Sequence, residues 1–295
     1  MNIHWEITFL LTLLPIYLIG TAVVIFLQLP IRLRPLAQVS PDGSIVTGSD
    51  SRLRLSSNGI LISGFILHSL IIVIRGLRAG HFPVTSIYET LLFFSWILVG
   101  LSVLFSISRK IPIINVGALP VAVILILMAV TQIQDVDALA PALQSYWLTI
   151  HVGFAFLSYA AYTLAFIVGV FYIILERQMK KKKFGVLYQL LPSLEILDET
   201  NYYAVAIGFI LLTIGIITGA VWANETWGRY WGWDPKETWS LITWFLYAIL
   251  LHVRITSQMR GRKVAYLSIL GFGFVIFTYL GVGILWNGLH SYLVK

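Results

Sequence analysis

The chain has 295 residues, 58% of them hydrophobic and 11% charged, with ten tryptophans and no cysteine. A mean hydropathy of +0.87 excludes an ordinary soluble domain, and the absence of cysteine excludes a disulfide, a thioether or a thiolate metal site in this chain. The net charge of +7 reads as topology bias, with no nucleic acid among the expected partners.

Apolar runs of about 20 residues recur along the chain, the length that crosses a bilayer as a helix. In lipid each backbone group must be satisfied within its own segment, and no alternating short strands of a barrel are present. The runs predict spans at 5–27, 58–75, 84–107, 112–132, 144–175, 202–222, 236–255 and 264–288. The fold class is therefore all-α, a polytopic helical bundle of about eight spans forming a single membrane domain over 1–295. The N-terminal MNIHWEITFL lacks a basic start and a small-residue cleavage site, so it reads as the first span rather than a signal peptide. Residues 28–57 read as a polar cytoplasmic loop with a turn at Pro41-Asp42-Gly43. The fifth run is long enough to tilt or to project beyond the lipid. Fifteen of the 20 Lys and Arg residues fall in the connections after spans one, three, five and seven. That bias places those connections in the cytoplasm and both termini outside.

Between spans six and seven, on the outer side, lies WANETWGRYWGWDPKETW, residues 222–239. It holds five of the ten tryptophans: Trp222, Trp227, Trp231, Trp233 and Trp239. A single Trp at a membrane boundary is an interfacial anchor. Five in one connection read as a platform for something flat and aromatic. Asp234-Pro235-Lys236-Glu237 also reads as a helix start, with Asp234 as N-cap, Pro235 first in the helix and Glu237 completing a capping box. Capping alone accounts for both carboxylates.

The six histidines fall at different depths. His4 is an interfacial bystander. His81 lies in the outer loop Gly80-His81-Phe82-Pro83, where loop structure and function are equally good readings. His68 sits near mid-depth of span two, where a helix–helix hydrogen bond explains it as well as ligation does. His151 and His290 lie at the outer ends of spans five and eight, level with the tryptophans. Imidazole is the common axial donor to haem iron, and two at one depth allow a six-coordinate haem; ordinary polar residues at helix ends are the alternative. His252 lies about 27 Å along its helix from Asp234, near the cytoplasmic end. It is either an interface residue beside Arg254 or a second ligand site. Glu89 lies inside an apolar span and needs a partner that the sequence does not name.

Trp227-Gly228-Arg229-Tyr230-Trp231-Gly232-Trp233-Asp234-Pro235-Lys236-Glu237-Thr238-Trp239-Ser240 resembles the WWD signature of haem-handling membrane proteins of cytochrome c maturation, shared by the CcsA, CcmC and CcmF families. The extension PKETWSL is similar to that of CcsA, also called ResC. Gly80 to Thr90 is similar to the GHFP…YE segment of that family, and Gly288-Leu289-His290-Ser291-Tyr292 to its GLHSY ending. The resemblance runs from residue 58 to 295 and leaves 28–57 outside it.

The resemblance implies a cytochrome c synthase subunit working with a CcsB (ResB) membrane partner. Haem b is the transported cargo, entering near the inner leaflet and presented outside to the CxxCH motif of apocytochrome c. His151 and His290 correspond to the outer axial ligands. His252 corresponds to the transmembrane ligand, opposite one supplied by the CcsB-like partner. Trp227, Trp231, Trp233, Asp234 and Trp239 belong to the haem-handling segment. His68, His81, Glu89 and Arg229 are further candidates, and no residue is singled out as a catalytic acid or base. The implied location is a bacterial inner membrane or a thylakoid membrane, with the tryptophan segment on the extracytoplasmic or lumenal side. A haem exporter of CcmC type and a b-type electron-transfer subunit are the competing readings.

Overall fold

The computed structural model describes residues 4–28, 48–109, 111–133, 139–182, 185, 188, 190–286 and 288–289, and every regular element among them is helical. In chain order these are α1 (His4–Gln28), α2 (Gly48–Ala79), α3 (Ile87–Ser108), α4 (Ile113–Thr131), a 3-10 turn (Pro141–Leu143), α5 (Tyr146–Lys180), α6 (Leu194–Trp227), α7 (Pro235–Thr256) and α8 (Arg262–Ile276). The last helix continues through a π-helical turn, Phe277–Gly281, into α9 (Val282–Leu285). Among the described residues, eight helical segments are long and apolar enough to cross a membrane, α8 to α9 counting as one.

Contacts at the helix ends give an up-and-down order. Glu6, at the start of α1, bonds Arg75 and Arg78 at the end of α2 and Tyr88 at the start of α3. Ser145, capping α5, donates to Glu225 near the end of α6 (2.6 Å). Tyr279, near the end of the last span, donates to Thr90 at the start of α3 (3.0 Å). These contacts lie at the end of the bundle that carries the tryptophan segment, here the tryptophan end. At the opposite end Asp198 near the start of α6 pairs with Arg254 at the end of α7 (2.8 Å) and accepts the Gly261 N–H (2.7 Å).

Most spans begin and end close to the sequence-based boundaries. α2 is longer, because residues 48–57, expected within a polar loop, are helical; 29–47 lie outside the described residues. α6 starts at Leu194 instead of 202, since Ser193 caps it, its hydroxyl accepting the Ile196 N–H.

The pair α5–α6 is the backbone of the bundle, and it packs along its whole length because α6 presents small residues. Asn201 donates to the Ala165 carbonyl (2.7 Å), the Tyr162 ring lies over Gly208, and Ala155 meets Gly215. Gly215 and Gly219 are four apart, the spacing that lets membrane helices approach closely. α3 and α4 close the other side of the core with Leu98, Leu119 and Ala122, all fully buried. α7 is the least enclosed span.

Candidate functional site

The site is a cleft at the tryptophan end where α5, α6, α7, the last span and the 228–234 connection converge. α5 contributes His151, Phe156 and Tyr159; α6 contributes Gly215, Gly219 and Trp222. Tyr230 and Trp231 come from the connection, Lys236, Glu237 and Ser240 from the first turns of α7, and Thr278 and Tyr279 from the π-turn. Thr90 of α3 completes the floor and is fixed there by the Tyr279 hydroxyl. A π-turn inserts an extra residue into a helix and redirects the side chains that follow; this one aims Thr278 at Thr243 of α7 (3.1 Å) and Tyr279 into the cleft.

His151 is held in one orientation. Its ring rests on Gly219, where a Cβ would come within 2.6 Å of Nδ1. Nδ1 lies 2.7 Å from the Gly215 carbonyl oxygen. A carbonyl only accepts, so Nδ1 carries the proton and Nε2 holds the lone pair of the neutral ring. A histidine that ligates a metal through one nitrogen is commonly oriented in this way by the other. Trp222 lies nearly parallel to the imidazole, centroids 6.0 Å apart and planes at 12°, and is itself fixed by donation from Nε1 to the Ala142 carbonyl (3.1 Å).

The tryptophans divide by role. Trp222 and Trp231 line the cleft. Trp227 packs edge-on against Trp222 (4.8 Å) and borders a separate shallow groove with Ser145 and Glu225. Trp239 packs against Phe277 of the π-turn (4.4 Å), and its carbonyl accepts from Thr243 (2.8 Å). Trp233 is 69% exposed and stands edge-on to Trp231 at 5.7 Å. Its φ of +57° is left-handed, a conformation that costs a bulky residue about 1–2 kcal/mol. Gly228, also left-handed, ends α6 and starts the loop that carries these rings.

Asp234 and Glu237 form the capping box read from the sequence. Asp234 Oδ1 accepts the Lys236 N–H (3.0 Å), and Glu237 Oε2 accepts the Asp234 N–H (3.1 Å) and the Gly232 N–H (2.8 Å). Asp234 has a second role: Oδ2 accepts the Leu289 N–H at 2.7 Å, tying the segment just before His290 to the start of α7. His290 itself lies outside the described residues. Arg229 is exposed, its guanidinium packed on Gly232.

The other candidates are elsewhere. His252 is exposed near the opposite end of α7, on the outward face with Ile242, Phe245 and Ile249. His68 is fully buried, and Nδ1 is 3.1 Å from the Tyr17 hydroxyl. His81 lies in the α2–α3 connection with Nδ1 donating to the Phe82 carbonyl (3.0 Å), outside the cleft lining. Glu89 does have a partner. Arg75 bonds it at 3.0 Å, and Thr85 donates to its other oxygen through both N–H and hydroxyl (2.9 Å each). Arg75 also pairs with Glu6 (3.2 Å), making a buried ionic cluster that stabilises the start of α3. Among the described residues no three His, Asp or Glu side chains gather as a bare-metal site.

Sequence reasoning did not single out Gly219, Lys236 or Tyr279 as parts of a site, and it named Trp222 only within the tryptophan platform. The Gly215–Gly219 spacing was the available signal for the first, while the π-turn left none.

Residues 84–290 match the family described as Cytochrome C assembly protein. Three relatives bear the name "Cytochrome c biogenesis protein CcsA". That of Guillardia theta is 38% identical over 253 residues, 79% of this chain and 84% of its own. That of Mesostigma viride is 38% identical over 258 residues, covering 79% and 84%. That of Synechococcus sp. (strain CC9902) is 35% identical over 269 residues, covering 83% and 88%.

Proposed function

The chain belongs to the cytochrome c assembly protein family, and from that premise we propose that it carries haem through the membrane and presents it for attachment to apocytochrome c. The observation that carries the reading is the convergence of His151 and Trp231, from distant parts of the chain, on one cleft. Haem b is the cargo. His151 binds its iron through Nε2, the nitrogen that the Gly215 carbonyl leaves as the lone-pair donor. His290 supplies the opposite ligand; the Asp234–Leu289 bond keeps its neighbour beside the tryptophan segment. Trp231, Trp222 and Tyr230 provide aromatic surface for the macrocycle.

The tryptophan end faces the extracytoplasmic or lumenal side, as the basic residues clustered at the opposite end favour. His252 receives haem near the inner leaflet. It opens outward from the least enclosed helix, where a CcsB-like subunit supplies the second imidazole. At the cleft, each apocytochrome CxxCH thiol adds across a haem vinyl group. Sulfur bonds to one vinyl carbon and the thiol proton ends on the other, so no net oxidant is consumed. Holding the two reactants together is the main rate contribution.

The test is purification with and without a CcsB-like subunit, with haem content and cytochrome c maturation measured for wild type, His151→Ala and His252→Ala. His151→Ala should abolish maturation at unchanged protein level while keeping the inner haem. His252→Ala should deplete haem throughout. Normal maturation in His151→Ala would sink the reading.

A further inference from the structure

Lys236 occupies the second position of α7, and its side chain lines the cleft beside Glu237, Tyr230 and Trp231. Among the described residues its ammonium makes no ion pair and no hydrogen bond. The two neighbouring carboxylates bond backbone groups rather than the ammonium, although the charge of Asp234 still acts on it. Asp234 accepts the N–H groups of Lys236 and Leu289, and Glu237 accepts those of Gly232 and Asp234. A largely buried cation with no direct ion pair carries a desolvation penalty that the Asp234 charge offsets only in part, and that an anion entering the cleft would offset further. The remaining wall is mostly aromatic and apolar, with the His151 imidazole set into it. The ligand that suits this wall is flat and apolar over most of its surface and anionic at its periphery.

We propose that Lys236 anchors the propionate carboxylates of the tetrapyrrole and so sets how the ring is turned within the cleft; this rests on haem being the cargo of the cleft. Ligation by His151 fixes the iron but leaves the macrocycle free to rotate about the iron–nitrogen axis. A charge-assisted bond at the periphery removes that freedom. Propionates and vinyl groups occupy opposite halves of the ring, so an ammonium holding one half determines where the other half is presented. Lys236 is thus a positioning residue that favours tetrapyrroles with free carboxylates and directs their vinyl edge.

The test compares haem with its dimethyl ester, in which the propionates are uncharged. Both are titrated into detergent-purified protein, following the absorption component that disappears in His151→Ala. Wild type should bind haem about tenfold more tightly than the ester, equivalent to about 1.4 kcal/mol. Lys236→Gln should bind both with the ester's affinity, and Lys236→Arg should restore most of the preference. Equal binding of the two ligands by wild type would overturn the proposal without needing any variant. So would a preference that survives in Lys236→Gln, including one lost instead in Arg229→Gln. Titrations unchanged in His151→Ala would overturn the haem cleft itself, and Lys236's role with it.

Discussion

His151 owes its orientation to a residue with no side chain. Gly219 leaves the space in which the imidazole lies, and a Cβ there would sit 2.6 Å from Nδ1. Gly219→Ala should therefore displace the ring from the Gly215 carbonyl and lower haem occupancy of the cleft nearly as far as His151→Ala does. Haem-to-protein ratio in the purified variants measures this, and full occupancy in Gly219→Ala would show that the ring has another support. The tryptophans allow a second comparison. Trp231 lines the cleft and Trp233 is largely exposed, so Trp231→Ala should cost more haem than Trp233→Ala. The left-handed backbone at Trp233 adds a stability prediction. Trp233→Gly should unfold later than Trp233→Ala by about 1 kcal/mol, because glycine adopts positive φ without strain.

At the scale of elements, the start of α7 links the helix, the tryptophan loop and the C-terminal segment through one carboxylate. Asp234→Ala removes the cap, a loss of about 1 kcal/mol, and also releases Leu289. It should lower both thermal stability and haem occupancy, whereas a change at an isolated cap would lower stability alone. The buried cluster at the start of α3 is a larger structural commitment. Arg75 is 2% exposed and faces Glu6 and Glu89, at 0% and 3%. Arg75→Ala leaves Glu89 without its cation and Glu6 with Arg78 alone, and should destabilise the bundle by about 3–5 kcal/mol, measured by denaturant titration in detergent. The capping box was legible from four consecutive residues, because a cap is a local interaction. The Glu89 partner was not, because Arg75 lies on another helix and Glu6 is 69 residues from Arg75. The long start of α6 was missed for a different reason: hydropathy marks where a helix enters lipid, not where its cap begins.

At the scale of the molecule, eight spans were legible because each must satisfy its backbone alone, which makes length and apolarity sufficient signals. The meeting of His151 with Trp231 was legible only as a shared depth; the side chains that shape the cleft between them come from helix packing. Orientation in the membrane is open to direct test because the chain has no cysteine. Thr226→Cys, at the tryptophan end, should react with an impermeant thiol reagent from the extracytoplasmic side, and Gln258→Cys, at the opposite end, only after permeabilisation. The reverse pattern would invert the proposed path of haem. The central claim is that the cleft holds haem through His151, and the most direct measurement is the ferrous absorption and resonance Raman spectrum of His151→Gly with and without added imidazole. The account predicts loss of the six-coordinate low-spin signal of the cleft, its return when imidazole occupies the vacated space, and an unaffected inner haem. A wild-type spectrum in His151→Gly without imidazole would contradict it.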